Sequence, residues 1–265
     1  MAQTHSSTLI HLRAQTPEIV AIGLSHRGQV RAANEDSLIL DAEGHFFLLA
    51  DGMGGHERGA EASATALEII SSHLTPHALG EEINNATQGS RIPPQISGLG
   101  YLVEQAVEQA NAFLYRKNQK EQLRRFMGTT LVGLCPLPDG YVLWFHVGDS
   151  RLYRCRNSVL TCLTEDHSVH AAWLRSGRVG KEPGKQAITR AVGPMPSVIT
   201  DIGWEKWQKD DTYLLCSDGL SDMLGFEEIE GILLEKDADA CAQKLVEAAN
   251  AAGGRDNISV ILCKF

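Results

Sequence analysis

No apolar run in this 265-residue chain approaches the roughly 18 residues that a membrane-spanning helix needs. The opening MAQTHSSTLIHLRAQTPE lacks the long apolar centre of a secretory leader. It reads as a flexible tail, residues 1–17, ahead of a single domain over 18–265 that is expected in the cytoplasm. None of the six cysteines forms a C-x-x-C pair, which excludes a zinc ribbon or a thioredoxin-like motif. Several lie in apolar runs, such as Cys216 in YLLCS, and are expected to be reduced and buried. Basic residues are too few for a general nucleic-acid binder: 24 Lys and Arg face 33 Asp and Glu, a net charge of −9. There is also no stripe of interleaved aromatic and basic residues. Internal repeats and heptads are missing, so a solenoid or coiled coil is excluded.

What is present alternates between two periods. The segments 18–25, 36–40 and 45–51 read as strands, the last two as a hairpin turning through DAEG. His45 to Ala50 is nearly continuous in apolar residues, so that strand is expected to be buried on both faces. From Glu57 the period becomes helical, with Ala60, Ala64, Leu67, Ile70 and Leu74 on one face and Pro76 as the stop. Residues 76–98 are rich in Gly, Pro, Asn and Ser and read as a loop. A second helix follows over Leu99 to Leu114, then strands near 128–135, 141–148, 151–156 and 159–163. A short helix over 167–177, an irregular stretch to Gln186, a strand over 211–217, helices at 226–234 and 238–251, and a strand from Asp256 complete the order. Strands grouped apart from paired helices predict an α+β fold. Specifically, they predict a four-layer α-β-β-α sandwich of two mostly antiparallel sheets flanked by helix pairs.

Six acidic residues stand at strand ends or in turns: Glu35, Asp36, Asp51, Asp149, Asp218 and Asp256. Each alone fits a turn or a helix cap, as Asp139-Gly140 does between two strands. Together they ask for more. Asp51, Asp218 and Asp256 each border an apolar strand and can converge on one end of a sandwich. Carboxylates about 4 Å apart repel by roughly 4 kcal/mol per pair at an effective dielectric near 20, so the cluster needs cations. An all-oxygen donor set favours Mg²⁺ or Mn²⁺ over zinc. Gly52, with no side chain in the way, can turn its carbonyl to the same metal, and Gly54 and Gly55 keep the approach open. Arg31, four residues before Glu35, suits a substrate that is an anion. Metals with arginine point to phosphate.

These residues lie in GQVRAANED, LLADGMGGHERGAEAS, MGTTLVG, HVGDSRLYR, LTEDHS, AITRAVG, LLCSDGLSDML and GGRDNISVI. In that order, across residues 18–265, they resemble the motifs of the metal-dependent protein phosphatases of the protein phosphatase 2C type, in their bacterial form. The resemblance implies hydrolysis of phosphoserine and phosphothreonine in proteins, opposing a serine/threonine kinase, by a monomer. It implies Asp51 bridging two Mn²⁺ or Mg²⁺ ions, with the Gly52 carbonyl, Asp218 and Asp256 as further ligands and Glu35 and Asp36 binding directly or through water. It implies a weaker third ion at Asp149 and Asp218, and Arg31 on the substrate phosphate. Thr129, Thr130 and Ser150 are expected to be structural. Met53 stands where eukaryotic members carry a histidine proposed as general acid. His56 can fill that role or be a surface residue at a helix start. The stretch 177–189 resembles the flap beside the active site, shortened by about five residues. No cysteine begins a C-x₅-R loop, which excludes the covalent cysteine mechanism. Two other readings share these carboxylates. One is a catalytically weak pseudophosphatase acting as a regulatory binding module. The other is a hydrolase of another phosphoester such as a nuclease, which the acidic chain disfavours.

Overall fold

The computed structural model describes residues 9–54, 57–85, 92–122, 125–137, 139–184 and 187–265. The first sheet-forming elements are β1 (Ile10–Gln15), β2 (Val20–His26), β3 (Asp36–Leu40) and β4 (Phe47–Met53). Three helices follow, α1 (Glu57–His73), α2 (Pro76–Asn85) and α3 (Pro94–Lys120). The central strands are β5 (Gly128–Thr129), β6 (Leu131–Leu137), β7 (Tyr141–Val147), β8 (Arg151–Arg156) and β9 (Val159–Cys162). After α4 (Val169–Arg175) come β10 (Asp201–Lys206), β11 (Thr212–Cys216), α5 (Asp218–Ser221), α6 (Phe226–Leu233), α7 (Ala238–Ala251) and β12 (Ile258–Lys264).

The strands form two antiparallel sheets. One runs β1-β2-β12-β11-β8-β9; the other runs β10-β7-β6-β4-β3, with β5 paired to β4. Period-two alternation sorts each central strand between two cores. Phe47 and Leu49 of β4 point into the layer between the sheets, with Tyr213, Leu215 and Ile261 from the opposite sheet. Leu48 and Ala50 face the other way, onto Ile70 of α1 and Val103 of α3. Leu214 and Cys216 of β11 likewise pack on Leu245 and Ala249 of α7. The four-layer α-β-β-α sandwich expected from the sequence is therefore the observed fold, and β4 is buried on both faces as its apolar run required.

Four segments depart from the sequence reading. Residues 10–15, assigned to the flexible tail, form β1 and pair with β2 in register Ile10↔Ser25 to Gln15↔Val20; residues 1–8 lie outside the described part. Pro76 does not simply stop a helix. α1 has already ended at His73, and Pro76 opens α2, where a missing N–H costs nothing. The Thr75 Oγ1 accepts the Ala78 N–H at 3.2 Å as its cap. α3 likewise begins at Pro94 rather than Leu99, so much of the expected loop is helical. β10, also unforeseen, is an edge strand on β7, and Gly203 there leaves room for the Trp144 indole, which a Cβ would meet at 2.4 Å.

Candidate metal and phosphate site

The carboxylates gather where strands of both sheets end on the same side. Asp36 and Asp51 are cross-strand partners on β3 and β4. Asp218 opens α5 directly after β11, and Asp256 precedes β12, the neighbour of β11. Asp149 sits in the turn between β7 and β8. A cleft of about 430 Å³ is lined by Arg31, Glu35, Asp51, Gly52, Asp149, Asp218 and Asp256. Asp36 lies beneath it, buried, with Ser217 Oγ donating to its Oδ2 at 3.0 Å. All the sequence-selected residues are thus brought together except His56, which lies outside the described residues.

The electrostatics are those of a cluster short of cations. Burial, then the charges of Asp36, Asp218, Asp256 and Asp149, hold the Asp51 carboxyl well above the usual range. Burial, with Asp149 and Asp256 next, pushes Asp218 up to about 8. Burial also raises Asp36 to about 6 against hydrogen bonds from Ser259 and Ser217. Asp149 is raised to about 6 by burial, then by Asp166. Oδ1 of Asp36 and Oδ1 of Asp218 are buried with no hydrogen-bond partner among the described residues. A buried carboxylate oxygen left unpaired is costly unless something occupies its lone pairs. The donor set, all hard oxygen, fits Mg²⁺ or Mn²⁺.

The backbone is packed tightly enough to fix this geometry. A Cβ on Gly52 would come within 2.1 Å of Gly59 O of α1, and one on Gly59 within 2.3 Å of Glu35 Oε2. Gly28, at φ +79°, would place a Cβ 2.0 Å from Asp256 O. Three residues expected to be structural hold the Asp51 backbone. Thr130 Oγ1 accepts the Asp51 N–H at 3.0 Å, and Thr129 Oγ1 donates to Asp51 O at 2.8 Å. Ser150 Oγ holds Thr130 Oγ1 at 2.7 Å.

The sequence reading missed Asn257. Its Oδ1 accepts the Glu35 N–H at 2.8 Å, and its Nδ2 donates to Arg27 O and Ala33 O, both at 2.9 Å. One buried side chain therefore ties the loop that carries Arg31 and Glu35 to the residue after Asp256. The available signal was a polar side chain at the mouth of an apolar strand in GGRDNISVI. Arg31 contacts Asp256 through its guanidinium. Burial opposes the charge on Arg31, but Asp256, Asp51 and Glu35 together raise its pKa.

A second group, His146, His167 and Asp201, brings its ligand atoms within 4.8 Å of one another. Hydrogen bonds account for it. His167 Nδ1 accepts the Gly148 N–H at 3.0 Å, and its Nε2 faces Asp201 Oδ2 at 3.1 Å and the Arg190 guanidinium at 3.0 Å, which itself donates to Asp201 Oδ1. Burial lowers the pKa of both histidines. The group braces the turn that carries Asp149. The flap residues 178–184 form neither helix nor strand, and Ile188 bridges to Ser168 and lines the cleft.

The profile of the family described as Protein phosphatase 2C matches residues 22–262. The chain is 34% identical over 248 residues to the serine/threonine phosphatase stp of Listeria monocytogenes serotype 4b (strain F2365), covering 89% of this chain and 92% of the relative. Among solved structures, PppA of Pseudomonas aeruginosa is similar with a TM-score of 0.79 at 26% identity, covering 96% of this chain and 99% of that one. The catalytic domain of the serine/threonine protein phosphatase PstP, solved with two manganese ions, gives a TM-score of 0.73 at 30% identity, covering 93% and 97%. The likeness therefore spans the sandwich as a whole rather than a single motif.

Proposed function

The chain belongs to the protein phosphatase 2C family and is a metal-dependent protein serine/threonine phosphatase, and from that premise we propose which of its residues do the work. The observation that carries the reading is the unpaired, buried oxygen on Asp218, in a cleft that also holds Asp51, Asp256 and Arg31, with a second such oxygen on Asp36 beneath it. Asp51, Gly52, Asp218 and Asp256 would hold two Mn²⁺ or Mg²⁺ ions, with Glu35 and Asp36 behind them. Such ions, when bound, supply Lewis acidity towards water and the phosphoryl oxygens. The chain supplies the rest. Thr129 and Thr130 fix the Asp51 backbone, Asn257 fixes the Arg31 loop, and Arg31 binds the phosphoryl oxygens as charge develops on them.

Asp149 with Asp218 would hold a weaker third ion. A side cavity of about 170 Å³, lined by Asp149, Asp166, Asp218 and Asp222 next to α4, supports that placement. The substrates are proteins phosphorylated on serine or threonine by an opposing kinase. The enzyme works as a monomer in the cytoplasm, a setting that suits its six free thiols. No helix among the described residues is long and apolar enough to cross a membrane. The test is hydrolysis of a phosphopeptide and a small aryl phosphate by metal-stripped protein. Activity is expected to return with Mn²⁺ or Mg²⁺ and vanish in chelator. Full turnover by protein shown to be metal-free would overturn the two-ion reading.

A further inference from the structure

The cleft has two lobes. The cavity of about 430 Å³ and a second of about 370 Å³ share Arg31, Asp218 and Asp256, so they meet at the carboxylate centre. A phosphate monoester fills only the middle of such a groove. Two lobes that meet at the centre leave room for the peptide that carries the phosphorylated side chain.

The lobes differ in charge. Beyond Arg31 and the carboxylates of the centre, the first lobe has one charged lining side chain, Arg125. The second holds Arg255 and, against it, Asp222. Arg125 is exposed and makes no ion pair or hydrogen bond among the described residues, in contrast to Arg58, Arg151, Arg156 and Arg190, each paired with a carboxylate. Arg255 is also without such a pair among them, but shares its lobe with Asp222. Its position is set by the site itself. Two residues on, Met127 N donates to Asn118 Oδ1 of α3 at 2.9 Å, and Gly128–Thr129 then pair with Met53 and Gly52 beside Asp51. A guanidinium with no partner among the described residues, on the wall of a cleft in a chain of net charge −9, lets an anion approach.

We propose that Arg125 forms a second anion subsite, one that reads an acidic residue flanking the phosphorylated serine or threonine. The preferred substrates are then phosphosegments rich in Asp or Glu on one side. This rests on the reading of the cleft as a phosphoprotein site. One charge-assisted contact at a solvent-exposed position changes kcat/KM by about tenfold and weakens with salt.

The experiment uses full-length protein saturated with Mn²⁺ and phosphopeptides that differ only in having Asp, Ala or Lys on either side of the phosphoresidue. The readout is the ratio of kcat/KM for Asp-flanked over Ala-flanked peptide. Wild-type protein is expected to give a ratio of about ten on one side, R125A a ratio near one, and R125E a preference for the Lys-flanked peptide. R255A is expected to keep most of the preference, because Asp222 offsets that lobe. A ratio unchanged in R125A and R125E, or one removed by R255A instead, overturns the proposal. So does an equal loss on all peptides and on a small aryl phosphate, which assigns Arg125 to the phosphoryl group itself. Wild-type turnover of every phosphopeptide without preference sinks this inference alone; no turnover of any phosphopeptide sinks the phosphatase reading with it.

Discussion

Asp51 is placed by its backbone rather than by its carboxylate. The Thr129 and Thr130 hydroxyls grip its carbonyl and amide, and the residue lines the cleft. Asp51→Asn preserves that grip and removes the charge. We expect kcat to fall at least about a hundredfold, since metal charge stabilisation is worth several kcal/mol, with both ions weakened in a Mn²⁺ titration. Near-normal turnover in a folded Asp51→Asn protein would remove the bridging role. Arg31 contacts Asp256, and the proposed phosphate contact would give it a second partner. In Arg31→Ala we expect KM for phosphopeptides to rise about tenfold, and the Mn²⁺ dissociation constant to move less. The reverse pattern, weakened Mn²⁺ with KM unchanged, would make Arg31 an organiser of the ligands.

At the scale of elements, the turn between β7 and β8 links the main cleft to the flap. Asp149 lines both the main and the side cavity, and His167 braces the turn through Gly148 N. Asp149→Ala is expected to leave the tight pair of ions bound through Asp51, Asp218 and Asp256. Turnover should slow, and the activation seen only at high Mn²⁺ should disappear. A calorimetric titration that shows the tight pair gone would place Asp149 among the principal ligands. The elements invisible in the sequence share a physical cause. β1 and β10 are edge strands with one neighbour each; β1 does alternate apolar and polar residues as IHLRAQ, but only Ala14 of it is buried, so its apolar content is too slight to stand out from a tail. α2 is short and polar, and it opens with a proline that also reads as a stop.

For the molecule as a whole, the sandwich concentrates buried acid at one rim, and its stability should follow. The metal-free pKa values of Asp36, Asp149 and Asp218, at about 6, 6 and 8, are all raised, and that of Asp51 is raised too. A raised carboxyl binds more protons folded than unfolded, so the slope of stability against pH is negative. Its stabilisation is complete below the unfolded value near 4 and is lost as pH rises through 6 to 8. Metal-free protein should therefore show a falling Tm from about pH 5 to pH 8. Saturating Mn²⁺ should restore it at pH 8, and Mn²⁺ should bind more weakly as pH falls, because the ions displace protons. A metal-free Tm that rises over that range would show that the cluster is not protonated as described.

By itself the sequence determined the layer order and the double burial of β4, and it singled out the carboxylates that the fold gathers. Apolar periodicity is local, and six acidic residues at strand ends or in turns, each with an ordinary structural use alone, ask for cations only as a set. The donor types Asp, Glu and Gly narrow the metal without any geometry. Only the tertiary structure decided what surrounds those residues. That Asn257 spans to the backbone at 27, 33 and 35, or that Gly59 of α1 must lack a side chain for Glu35 to fit, depends on segments far apart in the chain. The same holds for Arg125, ordinary in QLRRFMGTT, which becomes a cleft residue because β5 pairs with β4 beside Asp51. Which carboxylates are short of partners is likewise a property of packing, because desolvation and neighbouring charge act through space and not along the chain.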